Sequence, residues 1–273
     1  MDDTLSIIKN ALIEDMPSGD ITTDNLFHDE ESTAHFIAKA PGVISGIDIA
    51  YVTFKMVDPD INFVIIKPNG SIVNKGDIIA VVSGYSRSIL KAERVALNFL
   101  QRMSGIATLT RQFVLQTEGT KAKILDTRKT TPNLRTLEKR AVKDGGGVNH
   151  RMNLSEMVMI KDNHIKAAKT ITNAVNIIKE KVSSDILVEV EVESIDQLKE
   201  ALETKVDIIM LDNMSCDLMA ECVKINQHRK KLEASGNMTL ERVKEVALTG
   251  VDYISVGALT HSFDSLDISL KFQ

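Results

Sequence analysis

The residues that could do chemistry cluster where short apolar segments of the chain end. Residues 126–132 read DTRKTTP and follow the apolar run AKIL, so an acid, two cations and threonine hydroxyl groups crowd together after a candidate strand. Residues 161–164, KDNH, follow MVMI in the same way, and Asp212 and Asn213 follow IIML. Cations of this kind bind carboxylates and phosphates, whereas carboxylates stabilise positive charge or bind Mg²⁺. The pattern predicts a site for an anionic ligand.

The polar residues at these ends sort by charge along the chain. The early segments supply cations, namely Arg128, Lys129, His150, Arg151 and Lys161. The middle strands supply the carboxylates of Glu189, Glu191 and Asp212. The last two supply small residues and amides, Ser235, Gly236, Asn237 and Gly257. In barrel enzymes, backbone N–H groups in such loops bind phosphates. In this chain, Thr239 is the expected N-cap of the helix that follows the loop. The carboxylates could stabilise an oxocarbenium-like state or hold Mg²⁺.

The elements that must position these residues alternate between short strands and helices. Six apolar segments, AKIL, MVMI, ILVEV, DIIML, KLEAS and YISV, are separated mostly by helical patterns, which favours a parallel sheet with crossover helices. Their number suits a barrel, with one further strand coming from elsewhere. Barrel enzymes gather their chemistry at the carboxyl ends of the strands. Glu189 and Glu191 share one strand face and need basic partners if they point inward.

The first hundred residues have a different pattern. LSIIKNALIED predicts a helix, TAHFIAK, NFVIIK and GDIIAVVSG predict strands, and a long helix is expected over about residues 87–118. The glycine-rich stretch DGGGVNHR at 144–151 is either the C-cap of a helix or a loop that aims His150 and Arg151 at a ligand.

Composition excludes several classes of protein. With 273 residues and a net charge of −5, the chain is a poor candidate for a general nucleic-acid binder. No segment approaches the ~20 apolar residues that span a bilayer, and the acidic, amphipathic N-terminus is not a signal peptide. Cys216 and Cys222 match neither a zinc site nor a disulfide framework. We therefore expect a cytoplasmic protein with no membrane or nucleic-acid partner.

Several long motifs resemble one enzyme family. The stretches EDMPSGDITT, LNFLQRMSGIATLT, ILDTRKTTPNLRTLEKRAVKDGGGVNHR, MVMIKDNHI, EVEVES, IIMLDN, EASGN and ISVGALTHS occur in order over nearly the whole chain. Together they are similar to the quinolinate phosphoribosyltransferases, or carboxylating nicotinate-nucleotide pyrophosphorylases. The resemblance implies an α/β fold with an N-terminal α/β sandwich domain over residues 1–110, to which 264–273 return. An incomplete, seven-stranded α/β barrel would occupy 111–263.

The resemblance also implies a reaction and an assembly. The enzyme would be a pentosyltransferase of de novo NAD biosynthesis that joins quinolinate to phosphoribosyl pyrophosphate with Mg²⁺. Nicotinate mononucleotide, pyrophosphate and carbon dioxide would be the products. The family resemblance implies a homodimer in which Arg94 of the partner subunit reaches the site, and it leaves open whether dimers assemble into hexamers.

Roles for individual residues follow from the same resemblance. The quinolinate carboxylates would be bound by Arg128, His150 and Arg151 with the partner's Arg94. Lys129 and Lys161 would lie near the substrate carboxylate and the pyrophosphate. Glu191 and Asp212 would face the ribose and a Mg²⁺ ion held mainly by the substrate, so that Lys129, Glu191 and Asp212 form the catalytic set. The ribose phosphate would lie against Ser235, Gly236, Asn237 and Gly257, with His261 close by.

Two positions depart from the family pattern, and two others have a supporting role. Asn133 and Asn237 stand where glycines are common, and the second puts the detail of the phosphate loop in question. Asp126 and Thr127 are expected mainly to position Arg128 and Lys129, and Thr127 is included among the substrate-binding residues.

Three other functions compete with this hypothesis. The molybdenum-transport-associated pyrophosphorylase-like group shares the fold, but we expect it to lack the complete set TRKTTP, NHR and IKDNH. Nicotinate phosphoribosyltransferases bind a monocarboxylate and should need fewer cations. A noncatalytic binding protein is the third alternative, and the intact set of charges argues against it because unpaired buried charges are costly.

Overall fold

The computed structural model describes residues 3–273, which group into two compact units. The first contains the chain up to Arg111 together with residues 130–146 and 262–273. The second contains residues 112–129 and 147–261. The segment 130–146 thus groups with the first unit, whereas the resemblance had included it in the barrel domain.

The predicted strands and helices are present in the predicted order, together with elements that no sequence pattern indicated, such as the helix Ile47–Val57 and the strand Ile268–Phe272. The strands are β1 (Glu31–Ala38), β2 (Gly42–Val43), β3 (Asn62–Ile65), β4 (Ile72–Val73), β5 (Ile78–Tyr85), β6 (Lys123–Leu125), β7 (Val158–Ile160), β8 (Val188–Val192), β9 (Ile208–Asp212), β10 (Lys231–Ser235), β11 (Tyr253–Ser255) and β12 (Ile268–Phe272). The helices are α1 (Asp3–Asp15), α2 (Thr23–Leu26), α3 (Ile47–Val57), α4 (Ser86–Gln116), α5 (Arg135–Asp144), α6 (Asp162–Ala168), α7 (Ile171–Lys181), α8 (Ile195–Leu202), α9 (Cys216–Asn226), α10 (Leu240–Leu248) and α11 (Ala258–His261). The long helix expected near residues 87–118 is α4.

The first unit is an antiparallel sheet covered by helices. Its strands lie in the order β12-β1-β5-β3, so the last strand of the chain pairs with β1. The apolar face of this sheet packs against α3 and α4, and the aromatic rings of Phe36, Phe54 and Phe63 contact one another in the core. Alternating apolar residues on the strands produce this one buried face, and the predicted α/β sandwich is confirmed.

The second unit is a parallel sheet in the order β6-β11-β10-β9-β8-β7. Its strands are the six apolar segments found in the sequence, and the helices that follow β7 to β10 are the crossover connections. Val148 adds a single parallel bridge to Leu125 of β6. The predicted class, an incomplete α/β barrel, is confirmed. In the described part of the chain the seventh strand is reduced to this one bridge.

Period two along β8 explains how the barrel separates apolar from charged side chains. Val188, Val190 and Val192 are fully buried, whereas Glu189 and Glu191 lie on the opposite face. Glu191 lies opposite Met210 of β9 in the sheet register, and both line the cavity described below. The two glutamates therefore point into the barrel. No helix among residues 3–273 is long and apolar enough to cross a membrane.

Candidate active site

A cavity of about 930 Å³ opens at the carboxyl ends of the strands of the second unit. Its lining contains the predicted residues Thr127, Arg128, Lys129, His150, Arg151, Lys161, Glu191, Asp212, Ser235, Gly236, Asn237, Gly257 and His261. Arg94 lies in α4 of the first unit with an exposed side chain and is not part of this lining. The barrel thus brings the predicted set together, because parallel strands end on the same side of a barrel.

Hydrogen bonds from its own side chains hold the loop after β6. The fully buried carboxylate of Asp126 accepts a hydrogen bond at 2.9 Å from the backbone N–H of His150. Thr127 Oγ1 accepts one at 3.1 Å from the backbone N–H of Lys129. The Thr260 hydroxyl donates to the carbonyl of Lys129 at 2.9 Å. These contacts hold Lys129 and His150 in place, in keeping with a positioning role for Asp126 and Thr127.

His150 lies over two buried glutamates. Its Nε2 is 3.0 Å from Glu189 Oε2 and 3.5 Å from Glu233 Oε2, and both glutamate side chains are fully buried. Burial and the charge of Glu233 raise the pKa of Glu189 to about 7. Glu233 also lines the cavity, so the pair forms part of its floor.

Two influences act on the protonation of His150. Burial lowers its pKa, but the hydrogen bonds and charges of Glu189 and Glu233 outweigh burial and raise this pKa to about 9. The backbone N–H of Arg151 donates to Nδ1 at 2.7 Å, which requires a lone pair there and favours the neutral ring. The two observations disagree about Nδ1, but in both states Nε2 carries a hydrogen that faces the glutamates. The geometry therefore supports a hydrogen on Nε2 of His150.

Arg151 and Arg128 lie close enough to repel each other. The Arg151 guanidinium donates to the carbonyl of Met157 at 2.8 Å, which fixes one of its edges. Burial and the charge of Arg128 lower the pKa of Arg151, while the charge of Glu189 opposes this. Two guanidinium groups that line the same cavity match a ligand that carries two carboxylates.

Opposite charges face each other across β7 and β8. Lys161 follows β7, and its Nζ is 2.9 Å from Glu191 Oε2. Both side chains line the cavity, and neither is fully buried. An anion that binds Lys161 must compete with Glu191, so occupancy of the site would release this carboxylate for other contacts.

The loop after β10 approaches the end of β9 very closely. Gly236 has a φ of +98°, and a Cβ there would lie 2.1 Å from Asn213 Oδ1 and 3.0 Å from the Asn213 backbone nitrogen. Asn213 Nδ2 donates in turn to Asp212 Oδ2 at 2.7 Å. Asn237 follows with a φ of +49°, a conformation that asparagine tolerates better than most residues. Only glycine fits at 236, whereas asparagine suffices at 237.

Residues of α10 support the same loop from below. Arg242 donates to the carbonyl of Gly236 at 2.8 Å and to the carbonyl of Met214 at 2.7 Å. Thr239 Oγ1 accepts from the backbone N–H of Arg242, so the predicted N-cap is confirmed. With these carbonyls occupied by Arg242, the loop can direct N–H groups towards an anion.

Gly257 leaves room for two functional side chains. A Cβ at this position would lie 3.0 Å from His261 Nε2 and 3.1 Å from Lys129 Cδ. β11, which ends just before Gly257, pairs directly with β6, which ends before Lys129. The absence of a side chain at 257 therefore lets Lys129 and His261 lie together in the cavity.

Two residues that support the site were not predicted from the sequence. Glu233 lies within the segment KLEAS, two residues before Ser235, so period two placed it on the same face as a predicted ligand residue. This two-residue period could have identified Glu233 from the sequence. Arg242 gave none, because an arginine in the first turn of a surface helix is common.

Comparison with known proteins identifies related sequences and structures. A family model for the quinolinate phosphoribosyl transferase C-terminal domain matches residues 106–271, and the N-terminal domain model matches 20–104. A probable nicotinate-nucleotide pyrophosphorylase (carboxylating) of Bacillus subtilis is 41% identical, covering 97% of this chain and 91% of its own length. The chloroplastic enzyme of that name from Arabidopsis thaliana is 45% identical, covering 98% and 82%.

Solved structures agree with this assignment. The crystal structure of NadC from Streptococcus pyogenes superimposes with a TM-score of 0.95 at 39% identity, covering 98% of this chain and 96% of its own. The nicotinate-nucleotide pyrophosphorylase from Francisella tularensis gives a TM-score of 0.97 at 39% identity, with coverages of 100% and 96%. The two family models account for nearly all of the sequence, and the chain belongs to the quinolinate phosphoribosyl transferase family.

Proposed function

We propose that the protein transfers the phosphoribosyl group of phosphoribosyl pyrophosphate to quinolinate, with loss of carbon dioxide, in NAD biosynthesis. One observation carries the proposal: a single cavity combines a group of cations, a glycine-containing loop and two carboxylates between them. A ligand with two carboxylates fits Arg128 and Arg151, and the ribose phosphate fits the loop at Gly236. Monocarboxylate substrates would leave part of this positive charge without a partner, which favours the diacid.

The charges account for the chemistry in two steps. When the bond from the ribose C1 to pyrophosphate breaks, its electron pair leaves with pyrophosphate, and Glu191 and Asp212 stabilise the positive charge on the ribose. The ring nitrogen of quinolinate supplies the pair for the new bond to C1. Loss of carbon dioxide from the adjacent carbon then leaves a pair that takes up a proton. Lys129 would lie near the carboxylate that departs.

The carboxylates of the cavity also fit Mg²⁺. Glu191 and Asp212 offer oxygen ligands at its edge, and the substrate's phosphates would supply most of the others. Bound Mg²⁺ would neutralise charge on the departing pyrophosphate. Loss of activity on chelation, with recovery on adding Mg²⁺, is the expected result. Full activity in the presence of a chelator would remove the metal from the proposal.

Turnover tests the proposal directly. The purified protein is incubated with quinolinate, phosphoribosyl pyrophosphate and Mg²⁺, and nicotinate mononucleotide and carbon dioxide are measured. Nicotinate replaces quinolinate in a parallel reaction and should give far less product. Absence of product from a correctly folded protein, or equal turnover of the two acids, would refute a quinolinate-specific activity.

We also propose a homodimer that shares its sites through Arg94, an exposed side chain on α4. Arg94→Ala should be inactive, because the partner's site loses a ligand for a quinolinate carboxylate. Mixing it with an inactive Lys129→Ala protein should restore part of the activity, since a hybrid dimer contains one intact site. No recovery after proven subunit exchange contradicts the shared site, and light scattering distinguishes dimers from hexamers.

A cytoplasmic location remains part of the proposal. The two cysteines, Cys216 and Cys222, are not joined in a disulfide, as expected in a reducing compartment. Cell fractionation tests the location, and recovery of the protein with the membrane or secreted fraction would contradict it.

A further inference from the structure

Two carboxylates lie buried beneath the cavity with few partners. Glu189 and Glu233 are both fully buried, and three of their four oxygens have no hydrogen-bond partner. A buried carboxylate oxygen without a partner costs free energy. The feature is not needed to close the barrel, because apolar residues fill the corresponding interior positions of other barrels. Its position under His150 suggests what it does.

His150 connects the glutamates to the residues that line the cavity. Its Nε2–H faces Glu189 Oε2 at 3.0 Å and Glu233 Oε2 at 3.5 Å. On the other side of the ring, Nδ1 accepts from the backbone N–H of Arg151 at 2.7 Å. The backbone N–H of His150 is held in turn by Asp126. A continuous set of contacts thus runs from the buried carboxylates through the imidazole to the backbone of Arg151.

A metal ion is the alternative occupant of this group. The ligand atoms of His150, Glu189 and Glu233 lie within 4.8 Å of one another, which is close enough for one ion. A metal-bound imidazole nitrogen must carry no hydrogen, and its other nitrogen usually donates to an acceptor. Here Nδ1 faces an N–H donor, so the hydrogen is on Nε2, between the carboxylates. The geometry fits a hydrogen-bonded group better than a metal site.

Charge gives the glutamates a second effect on the same residues. Arg128 and Arg151 repel each other, and the nearby charge of Glu189 opposes the effect of that repulsion on Arg151. The negative charge carried by the glutamate pair at the cavity floor allows the two guanidinium groups to stay close before an anionic ligand arrives. Preorganised groups of this kind lose less free energy when the ligand binds.

We propose that Glu189 and Glu233 are positioning residues for the diacid: they act through His150 to fix the backbone at Arg151 and the orientation of the cations that bind quinolinate. The inference rests on the proposed function, because it assigns that diacid to this end of the cavity. It goes further in attributing selectivity for the diacid to residues that act through His150 instead of binding the carboxylates themselves.

Exchanges at Glu189 separate positioning from general stability. Glu189→Ala removes the acceptor for the Nε2–H of His150, and the KM for quinolinate should rise ~10-fold or more while that for phosphoribosyl pyrophosphate changes less than ~2-fold. Glu189→Gln keeps an oxygen that can accept this hydrogen but loses the negative charge, so it should recover part of the affinity. Equal effects on both substrates, or no recovery in the glutamine variant, would overturn the proposal.

A second pair of variants covers the case in which Glu189→Ala does not fold. Glutamine at 150 places an amide nitrogen where Nε2 lies and can still donate to the glutamates, whereas asparagine is too short to reach them. His150→Gln should therefore bind quinolinate at least ~10-fold more tightly than His150→Asn. Equal binding by the two variants, or tighter binding by the asparagine variant, contradicts the inference.

Two controls keep the outcomes distinct. Calorimetry of the unaltered protein with quinolinate comes first, and absence of binding there refutes the proposed function and with it this inference. Normal binding that none of the variants changes refutes the inference alone. Metal analysis of the purified protein should find no stoichiometric ion that Glu233→Ala removes. Finding one would replace the positioning role with a metal site.

Discussion

Substituting alanine for Gly236 tests the proposal that this end of the cavity binds the ribose phosphate. The new Cβ would lie 2.1 Å from Asn213 Oδ1, so this side chain must move away and its hydrogen bond to Asp212 is lost. The Asn213 backbone nitrogen, 3.0 Å away, limits how far movement of the side chain can relieve the contact. The variant also holds alanine at a φ of +98°. Both effects displace the loop that would bind the ribose phosphate.

A matched glycine separates the two effects. Gly76 has a φ of +96° and would place its Cβ in open space, so Gly76→Ala introduces the same backbone strain without a clash. We expect about 1–2 kcal/mol of strain in each variant. The clash should cost Gly236→Ala a further ~1–3 kcal/mol, as overpacking commonly does. The difference between the two variants in the loss of unfolding free energy therefore measures the cost of the clash between the two loops.

Substrate affinities give the decisive measurement. For Gly236→Ala we expect the KM for phosphoribosyl pyrophosphate to rise ~10- to 100-fold, because a displacement of about 1 Å at a binding loop has effects of this size. The affinity for quinolinate, measured separately by calorimetry, should stay within ~2-fold, and Gly76→Ala should keep both values near those of the unaltered protein. An unchanged KM in Gly236→Ala, with a thermal midpoint equal to that of Gly76→Ala, would refute the assignment of this loop.

Further predictions concern the diacid end and the base of the barrel. Arg151→Ala should weaken quinolinate binding by ~1.5–3 kcal/mol through the loss of charge-assisted hydrogen bonds, and unchanged calorimetric binding would exclude Arg151 from the carboxylate site. Asp252→Asn should destabilise the second unit by ~1–3 kcal/mol, measured by hydrogen exchange, since Asp252 accepts from the Leu232 N–H and pairs with Lys121 and Lys231. These contacts overcome burial and lower the pKa of Asp252. The stabilisation by Asp252 is therefore present above its ordinary pKa of 3.8 and is lost as the pH falls below that value. In acid, the difference in unfolding free energy between Asp252→Asn and the unaltered protein should become smaller.

Local patterns predicted the six barrel strands, α1, α4 and most of the cavity lining, but they did not indicate α3 or the strands β2, β4 and β12. Each strand of the barrel is a short apolar run, and the chemistry follows where the run stops, as at Arg128 and Lys161. Period two alone correctly indicated that Glu189 and Glu191 share a face. These patterns can be recognised in the sequence because they depend only on residues a few positions apart in the chain.

Contacts between distant segments could not be predicted in this way. The tautomer of His150 depends on Glu189 and Glu233, which lie on two other strands. Arg242 supports the loop at Gly236 because α10 turns back under it, and no local pattern records that turn. The resemblance implied seven strands, and among the described residues the seventh is represented by the single bridge from Val148 to β6, which no local pattern indicates.

The order of charges along the chain is not their order around the barrel. In sequence, the cations come first and the glycine-containing loops last. In the barrel these two groups are neighbours, because β11 pairs with β6 and places Gly257 beside Lys129 at the same edge of the cavity. A phosphate held at the last loops would therefore lie next to the first cations. The carboxylates of β9 and β8 would come next around the barrel, because β9 pairs with β10 and β8 pairs with β9. In the proposed complex, one substrate would be held at its phosphate and its reacting carbon would lie between Lys129 and Asp212, as a transfer between two anionic substrates requires.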